Sequence, residues 1–337
     1  MIVQLRQPAD VLQKRQIISV LQNLGYTTQP VRTHAAEYIV CIGSAAIDIR
    51  RIGVLPGVGD VFRVSDTYKL VSRKWKTRTS VIRLGDEVSI GSGTPVMIAG
   101  PCSIEHEDQV RSIVSHLKQS GIRIMRGGAF KPRSSPYAFQ GLGLNGLKLL
   151  YRTCKEQGIY VISEVMEIGQ IDQMYDFVDI FQVGARNTQN FNLLKALGSV
   201  DKPVLLKRGI SGSIDELLQS AEYIFSSGNE EIMLCERGIR SFENAYRNTF
   251  DINAIPLLKA KSHLPVIADP SHGIGIREHV PDIALAAIVA GADGVMYEVH
   301  EQPEEAASDG QQTLNFEESA RMQLRAARLI QAMQDSL

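Results

Sequence analysis

Four residues of different chemistry, Cys102, His272, Glu298 and Asp309, are candidates to share one metal ion. A thiolate, an imidazole and two carboxylates make a mixed donor set. It suits Mn²⁺, Fe²⁺, Co²⁺ or Zn²⁺ and is too soft for a dedicated Mg²⁺ cage. Each residue also has a plainer reading: Cys102 as an apolar core filler, His272 as a structural hydrogen-bonder, and Asp309, in EEAASDGQQ, as a turn residue. Asp269 and His300 compete for the ligand role. A second set is cationic: Arg126, Lys131, Arg133, Arg186, Lys207 and Arg237. Crowding six cations is costly unless anions meet them. Arginine forks match carboxylate and phosphate, whereas lysine supplies a point charge. More than one anionic group is therefore expected: two phosphates and a carboxylate. The run RGGAFKPRSSPYAFQG sharpens this. Gly127 and Gly128 let the backbone approach a ligand, and Pro132 stiffens the chain between Lys131 and Arg133. Ser134 and Ser135 add hydroxyls and main-chain donors, as a phosphate clamp requires.

These residues sit where strands should end. Eight short apolar runs, each closing in polar residues, begin near Pro95, Ile122, Ile159, Val178, Lys202, Glu231, Leu264 and Asp293. Helix-period segments such as Gln109 to Gln119 and Ile214 to Phe225 lie between them. Strands alternating with helices predict a parallel sheet, and eight repeats in about 240 residues predict a closed (β/α)₈ barrel. An open doubly wound sheet is the alternative, but no G-x-G-x-x-G follows the first strand. Active sites of such barrels lie at the C-terminal strand ends. Here those ends carry Cys102, Arg126, Glu164, Arg186, Lys207 with Arg208, Glu236 with Arg237, Asp269 with His272, and Glu298 with His300. Barrel closure sets the first, seventh and eighth strands side by side, so the four metal candidates can converge.

Ahead of the barrel, residues 1–70 read as strand, helix, strand, strand, short helix, strand, a ferredoxin-like βαββαβ unit. Ile2 to Leu5, Tyr38 to Ile42 and Val61 to Val64 are strands, and Val11 to Leu24 and Ile47 to Leu55 are helices. Residues 71–94 hold a polar linker, Ser72 to Ser80, and a hairpin turning at Gly85-Asp86-Glu87. Residues 95–337 form the barrel. With 36 basic and 37 acidic residues the net charge is −1, so the chain lacks the basic surplus that nucleic acid or an acidic membrane would need. The four cysteines show no zinc or disulfide spacing, and the N-terminus, MIVQLRQPAD, lacks a secretion signal. The longest apolar stretch, Ile283 to Ala292, is too short for a bilayer span. A reduced, cytoplasmic setting is expected.

Seven motifs in order, AGPCS, MRGGAFKPRSSPYAFQG, QVGARN, LLKRG, CERGIR, ADPSHG and the run from Tyr297 to Gln312, resemble the 3-deoxy-D-arabino-heptulosonate 7-phosphate (DAHP) synthase family. Within it, the chain is similar to the subgroup with an N-terminal ferredoxin-like regulatory domain, over essentially its whole length. The resemblance implies a transferase of the shikimate pathway. It would condense phosphoenolpyruvate with erythrose 4-phosphate and water and release phosphate. Cys102, His272, Glu298 and Asp309 would be the metal ligands. Arg126, Lys131, Arg186, Lys207 and Arg237 would hold phosphoenolpyruvate, and Lys131, Pro132, Arg133 and Ser134 erythrose 4-phosphate. Many relatives carry Thr where this chain has Ser134, and the hydroxyl is kept. The metal would act as a Lewis acid on the aldehyde oxygen. Lys131 is assigned as proton donor to the developing alkoxide and Glu164 to directing water; with His272 these form the catalytic set. The N-terminal unit would bind tyrosine or phenylalanine and close over the barrel mouth. A homo-oligomer, a tetramer in much of the family, is implied.

Two enzymes compete with this reading: 3-deoxy-D-manno-octulosonate 8-phosphate synthase, which uses a five-carbon aldose phosphate, and a sialic-acid-type synthase. Relatives of the first typically carry Ala-Asn-Arg-Ser after the loop lysine, so Pro132-Arg133 favours the four-carbon aldose. A non-catalytic barrel is a third possibility, but it has no reason to keep both the metal donors and the cations.

Overall fold

The computed structural model describes residues 1–335 except 9, 44–46, 132–136 and 138. Pro132, Arg133 and Ser134, expected to hold the aldose phosphate, lie outside the described residues, as does Ser135.

The chain opens with β1 (Ile2–Leu5), α1 (Val11–Asn23), β2 (Thr27–Arg32), β3 (Glu37–Ile42), α2 (Arg50–Gly53) and β4 (Val58–Phe62). These strands form an antiparallel sheet of order β2-β3-β1-β4, with Ile2 opposite Val40 and Phe62. Strand alternation makes both faces apolar. Val3, Ile39 and Cys41 pack on Ile17 and Leu21 of α1, whereas Ile2, Tyr38 and Val40 join the core shared with the barrel helices. The helix over Ile47 to Leu55 is reduced to the single turn of α2.

The hairpin β5 (Ile82–Leu84) and β6 (Val88–Ile90) precedes the barrel. The barrel runs β7 (Val96–Gly100), α3 (Glu107–Gln119), β8 (Ile124–Arg126), α4 (Gly143–Lys155), β9 (Tyr160–Val165), α5 (Ile168–Met174), β10 (Ile180–Val183) and α6 (Phe191–Gly198). It continues through β11 (Val204–Lys207), α7 (Ile214–Ser226), β12 (Ile232–Glu236), α8 (Ala254–Lys261), β13 (Val266–Ala268), α9 (Pro270–Ile274), α10 (Val280–Val289), β14 (Gly294–Glu298) and α11 (Phe316–Asp335). Strands β7 to β14 close into a parallel barrel, β14 pairing with β7. Their runs are buried on both faces, which is why they read as continuous apolar segments. Ile98, Ile124, Ile162, Ile180, Leu205 and Met296 fill the interior, and the hairpin residues Ile82, Leu84, Val88 and Ile90 belong to the same cluster. The hairpin therefore closes the barrel at the end away from the strand exits.

The polar run Ser72 to Ser80 is not a free tether. Ser72 bridges to Ser262, Arg73 Nε donates to the Ser262 carbonyl, and Trp75 Nε1 donates to that of Leu70. Half-buried Glu222 on α7 accepts the main-chain N–H groups of Leu70 and Val71. The four-stranded sheet docks on the barrel flank, Tyr38 meeting Phe225 edge-on, and His34 N–H donates to the Gly228 carbonyl. These contacts gather at the C-terminus of α7 and the entry to β12, opposite the strand exits. In this chain, with no effector bound, the sheet packs on the barrel flank and not over the mouth. Tyr38 finds apolar cover on Trp75 and on Phe225 of α7, in the core that also takes Ile2 and Val40. Among the described residues no helix is long and apolar enough to cross a membrane, and all four cysteines are free and buried.

Candidate active site

Cys102, His272 and Glu298 are set by strand ends, and Asp309 by a turn beyond β14. β7 finishes at Gly100, where an added Cβ would fall 1.9 Å from the Arg126 carbonyl; only glycine lets β7 and β8 run this close before Cys102. After β13, Asp269 caps α9 by accepting the His272 N–H at 3.1 Å, and its Oδ2 lies 2.9 Å from His272 Nδ1. Glu298 ends β14, its N–H donating to Ser271 Oγ. Asp309 is the one non-glycine residue with positive φ (55°) among those described, in a turn closed by Thr313 Oγ donating to its carbonyl at 2.9 Å. Aspartate is among the few side chains that tolerate this region.

Ligand atoms of Cys102, Glu298 and Asp309 all lie within 4.8 Å of one another. The Cys102 thiol donates to Asp309 Oδ2 at 3.3 Å, and Lys131 Nζ donates to Cys102 Sγ at 3.1 Å and to its carbonyl at 2.9 Å. His272 approaches from the Glu298 side, with Nε2 3.6 Å from Glu298 Oε1. The competing candidates lie apart. Asp269 is engaged with His272 and Lys207, and His300 Nε2 stands 4.0 Å from Glu105 Oε2.

The electrostatics fit a bound cation. Burial, with Glu298 adding to it, pushes the Cys102 thiol up to about 11, so at neutral pH it keeps its proton. Burial lowers His272 to about 4 against the pull of Asp269 and Glu298, giving a neutral imidazole. With Nδ1–H on Asp269, the Nε2 lone pair is free on the Glu298 side, the arrangement that orients metal-bound histidines. Burial works to raise Asp309, but Arg247 and His272 outweigh it and hold the carboxyl at about 2. Glu298 is likewise lowered, burial being outweighed by His272 and Arg126.

Beside this group lies a cavity of about 330 Å³. Lys131, Arg186, Lys207 and Arg237 line it, and Glu164 stands among them. Arg237 is 6% exposed and its Nη1 has no hydrogen-bond partner among the described residues. Burial pushes its guanidinium down. A buried guanidinium with an unsatisfied N–H group at a cavity wall favours an anion there. Glu164 is held closely: Gln182 Nε2 donates to it at 3.4 Å, and a Cβ on Gly184 would lie 2.0 Å from its Oε1.

The rim is less freely cationic than the sequence suggested. Arg126 Nη1 donates to Glu298 Oε1 at 2.9 Å and to the Pro101 carbonyl at 3.0 Å, leaving Nε without a partner among the described residues. Lys207 pairs with Asp269, and Arg208 with Glu236 and Asp251. In a low-dielectric interior an unpaired charge is expensive, so strand-end cations and carboxylates match one another. Sequence reasoning missed Arg240, Arg247 and Asn248, which also line the cavity. Their signal was the long connection between β12 and α8, where loops of such length are commonly functional.

Comparison with known proteins bears on the family and the fold. The model of the DAHP synthetase I family matches residues 64–335. A phospho-2-dehydro-3-deoxyheptonate aldolase of Thermotoga maritima is 50% identical over 260 residues, covering 77% of each chain. A 2-dehydro-3-deoxyphosphooctonate aldolase of Desulfosudis oleivorans is 34% identical, covering 71% of this chain and 92% of its own. A crystal structure of the Thermotoga maritima aldolase, also called DAHP synthase, superposes with a TM-score of 0.79 at 42% identity. It covers 98% of this chain and 97% of its own.

Proposed function

The chain belongs to the DAHP synthetase I family, and from that premise we propose how its rim works. The reaction is the condensation of phosphoenolpyruvate with erythrose 4-phosphate and water to DAHP plus phosphate, an aldol-type transferase step of the shikimate pathway. The five-carbon alternative is the less supported, its named relative being 34% identical against 50% for the heptonate aldolase. Cys102, Glu298 and Asp309, joined by His272, would hold a divalent metal, Mn, Fe, Co or Zn. When bound, such an ion supplies Lewis-acid polarisation of a substrate oxygen.

The observation that carries this reading is the juxtaposition of a close thiol–carboxylate group with the Arg237 guanidinium, whose buried Nη1 has no hydrogen-bond partner among the described residues. Arg237, Arg186, Lys207 and Lys131 would take the phosphate and carboxylate of phosphoenolpyruvate, with Arg126 contributing its unpaired Nε. Lys131, at hydrogen-bond distance from Cys102, would hand a proton to the developing alkoxide; its Nζ donates from the edge of the metal group. Glu164, across the cavity, would orient the water that adds at C2. Fixed charges of this kind need no rearrangement as charge develops, usually the largest catalytic term. Pro132, Arg133 and Ser134 complete the aldose phosphate site in this reading.

We also propose that residues 1–70 form a regulatory unit, 71–94 a packed connector and 95–337 the catalytic unit, with tyrosine or phenylalanine as effector and a tetrameric assembly in the cytoplasm. Hydrogen exchange on the full chain tests the effector: protection of β1 to β4 by either amino acid supports it, and protection confined to the barrel overturns it. The reaction is tested by phosphate release from phosphoenolpyruvate with four- and five-carbon aldose phosphates, with and without divalent metal. Release with the four-carbon aldose that requires metal is expected; a preference for the five-carbon aldose would overturn the assignment.

A further inference from the structure

Arg247 was not among the expected donors or cations, yet it reaches the carboxylates of the metal group by two routes. Its Nη1 donates to Gln312 Oε1 and lies 3.4 Å from Asp309 Oδ2. Gln312 is fully buried, and its Nε2 donates to Glu298 Oε2 at 2.6 Å. A guanidinium is donor-only, so Gln312 must offer it the amide oxygen and turn the NH₂ toward Glu298. The flipped amide would set an oxygen against a carboxylate oxygen.

The position of Arg247 is itself fixed. Its N–H donates to the Ile274 carbonyl at 3.0 Å, that of Asn248 to the Gly273 carbonyl at 3.0 Å, and Asn248 Nδ2 to the His272 carbonyl at 2.8 Å. Gly275, at φ +70°, leaves the room Arg247 needs, because an added Cβ would fall 2.3 Å from Arg247 Cβ. One two-residue segment of the β12–α8 connection thus touches His272, Asp309 and, through Gln312, Glu298.

We propose that Arg247 is a positioning residue for the metal ligands. It fixes the Gln312 amide, which ties one oxygen of Glu298 and leaves the other on the His272 side, and it steers Asp309. The inference rests on reading Cys102, His272, Glu298 and Asp309 as the metal centre. Its charge opposes a bound cation, but the side chain is 32% exposed and so partly screened. Ordering two carboxylates outweighs that penalty.

The test is a chelator-competition titration of Co²⁺ and Mn²⁺ against the full-length chain as wild type, Arg247→Met, Arg247→Lys, Gln312→Ala and Cys102→Ser, with kcat and KM measured alongside. Outer contacts of this kind change metal affinity by roughly 10–100-fold. Arg247→Met is expected to raise the metal Kd at least about tenfold, and Arg247→Lys, which keeps a charged donor, to recover most of it. Gln312→Ala removes the relay without touching Arg247 and is expected to weaken binding likewise. A Kd for Arg247→Met within about twofold of wild type, or tighter, overturns the proposal; if KM for an anionic substrate rises alone, Arg247 serves the substrate instead. Unchanged binding in Gln312→Ala, should Arg247→Met not fold, overturns it equally. If wild type takes up no metal, or Cys102→Ser binds as wild type does, the metal centre fails and this inference with it.

Discussion

Removing the charge of Asp269 tests how the rim is held together. The carboxylate is 1% exposed, pairs with Lys207, whose side chain is 4% exposed, and receives both the backbone N–H and Nδ1 of His272. Burial alone would raise Asp269, but His272 and Lys207 outweigh it and hold the carboxyl well below the usual range. Two charges 4 Å apart at an effective dielectric of about 20 interact by ~4 kcal/mol. Breaking a buried pair from one side costs about 3–5 kcal/mol, because the other charge is stranded. Asp269→Asn keeps the shape and a cap acceptor while stranding Lys207, so urea unfolding at neutral pH should show about 3 kcal/mol lost. Lys207→Met in the same chain removes the stranded charge and should restore most of that loss, a coupling of at least about 2 kcal/mol. A single variant within about 1 kcal/mol of wild type, or a double variant no more stable than the single, would refute the reasoning.

Lys131→Met and Glu164→Gln should each lower turnover by about 100-fold or more in steady-state phosphate release; near-normal kcat removes that role. Gly184→Ala forces a methyl group to 2.0 Å from Glu164 Oε1. It should depress kcat toward the Glu164→Gln level while circular dichroism remains native, and full activity would show that Glu164 has room to move. His263 is buried against Trp75, bonded to the Leu70 carbonyl and Ser80, and faced by Lys76 and Arg73. Burial lowers it from 6.5 to about 3. The folded value lies below the free one, so the unfolded chain takes the proton first. The contribution of His263 to stability is complete above pH 6.5 and is lost as pH falls toward 3, about 2 kcal/mol by pH 5. His263→Gln should flatten unfolding stability between pH 7 and 5, and an unchanged slope would exclude this group.

The barrel was legible because each strand is buried on both faces and reads as a compact apolar run. Expected starts such as Lys202 and Glu231 fall one or two residues before β11 (Val204) and β12 (Ile232). Side-chain type pointed to Cys102, His272, Glu298 and Asp309, at or beyond the exits of three strands; the fold brings Cys102, Glu298 and Asp309 within 4.8 Å of one another, with His272 Nε2 3.6 Å from Glu298. Partnerships were not legible. Arg126 and Glu298 are 172 positions apart, and nothing local marks the guanidinium as already matched. Ser72 to Ser80 read as a linker because its polar side chains suggest solvent, whereas Arg73 and Trp75 spend theirs on main-chain carbonyls. Gln312 gave no signal, an amide in a polar loop being unremarkable until its two neighbours are known.

The central claim is that one ion is held by a cysteine and two carboxylates that arise far apart in the chain. X-ray absorption on the zinc-loaded protein tests it most directly. The account predicts one sulfur scatterer at about 2.3 Å beside nitrogen and oxygen neighbours, with the sulfur lost in Cys102→Ser. A coordination shell without sulfur in the wild type, or an unchanged shell in Cys102→Ser, would contradict it.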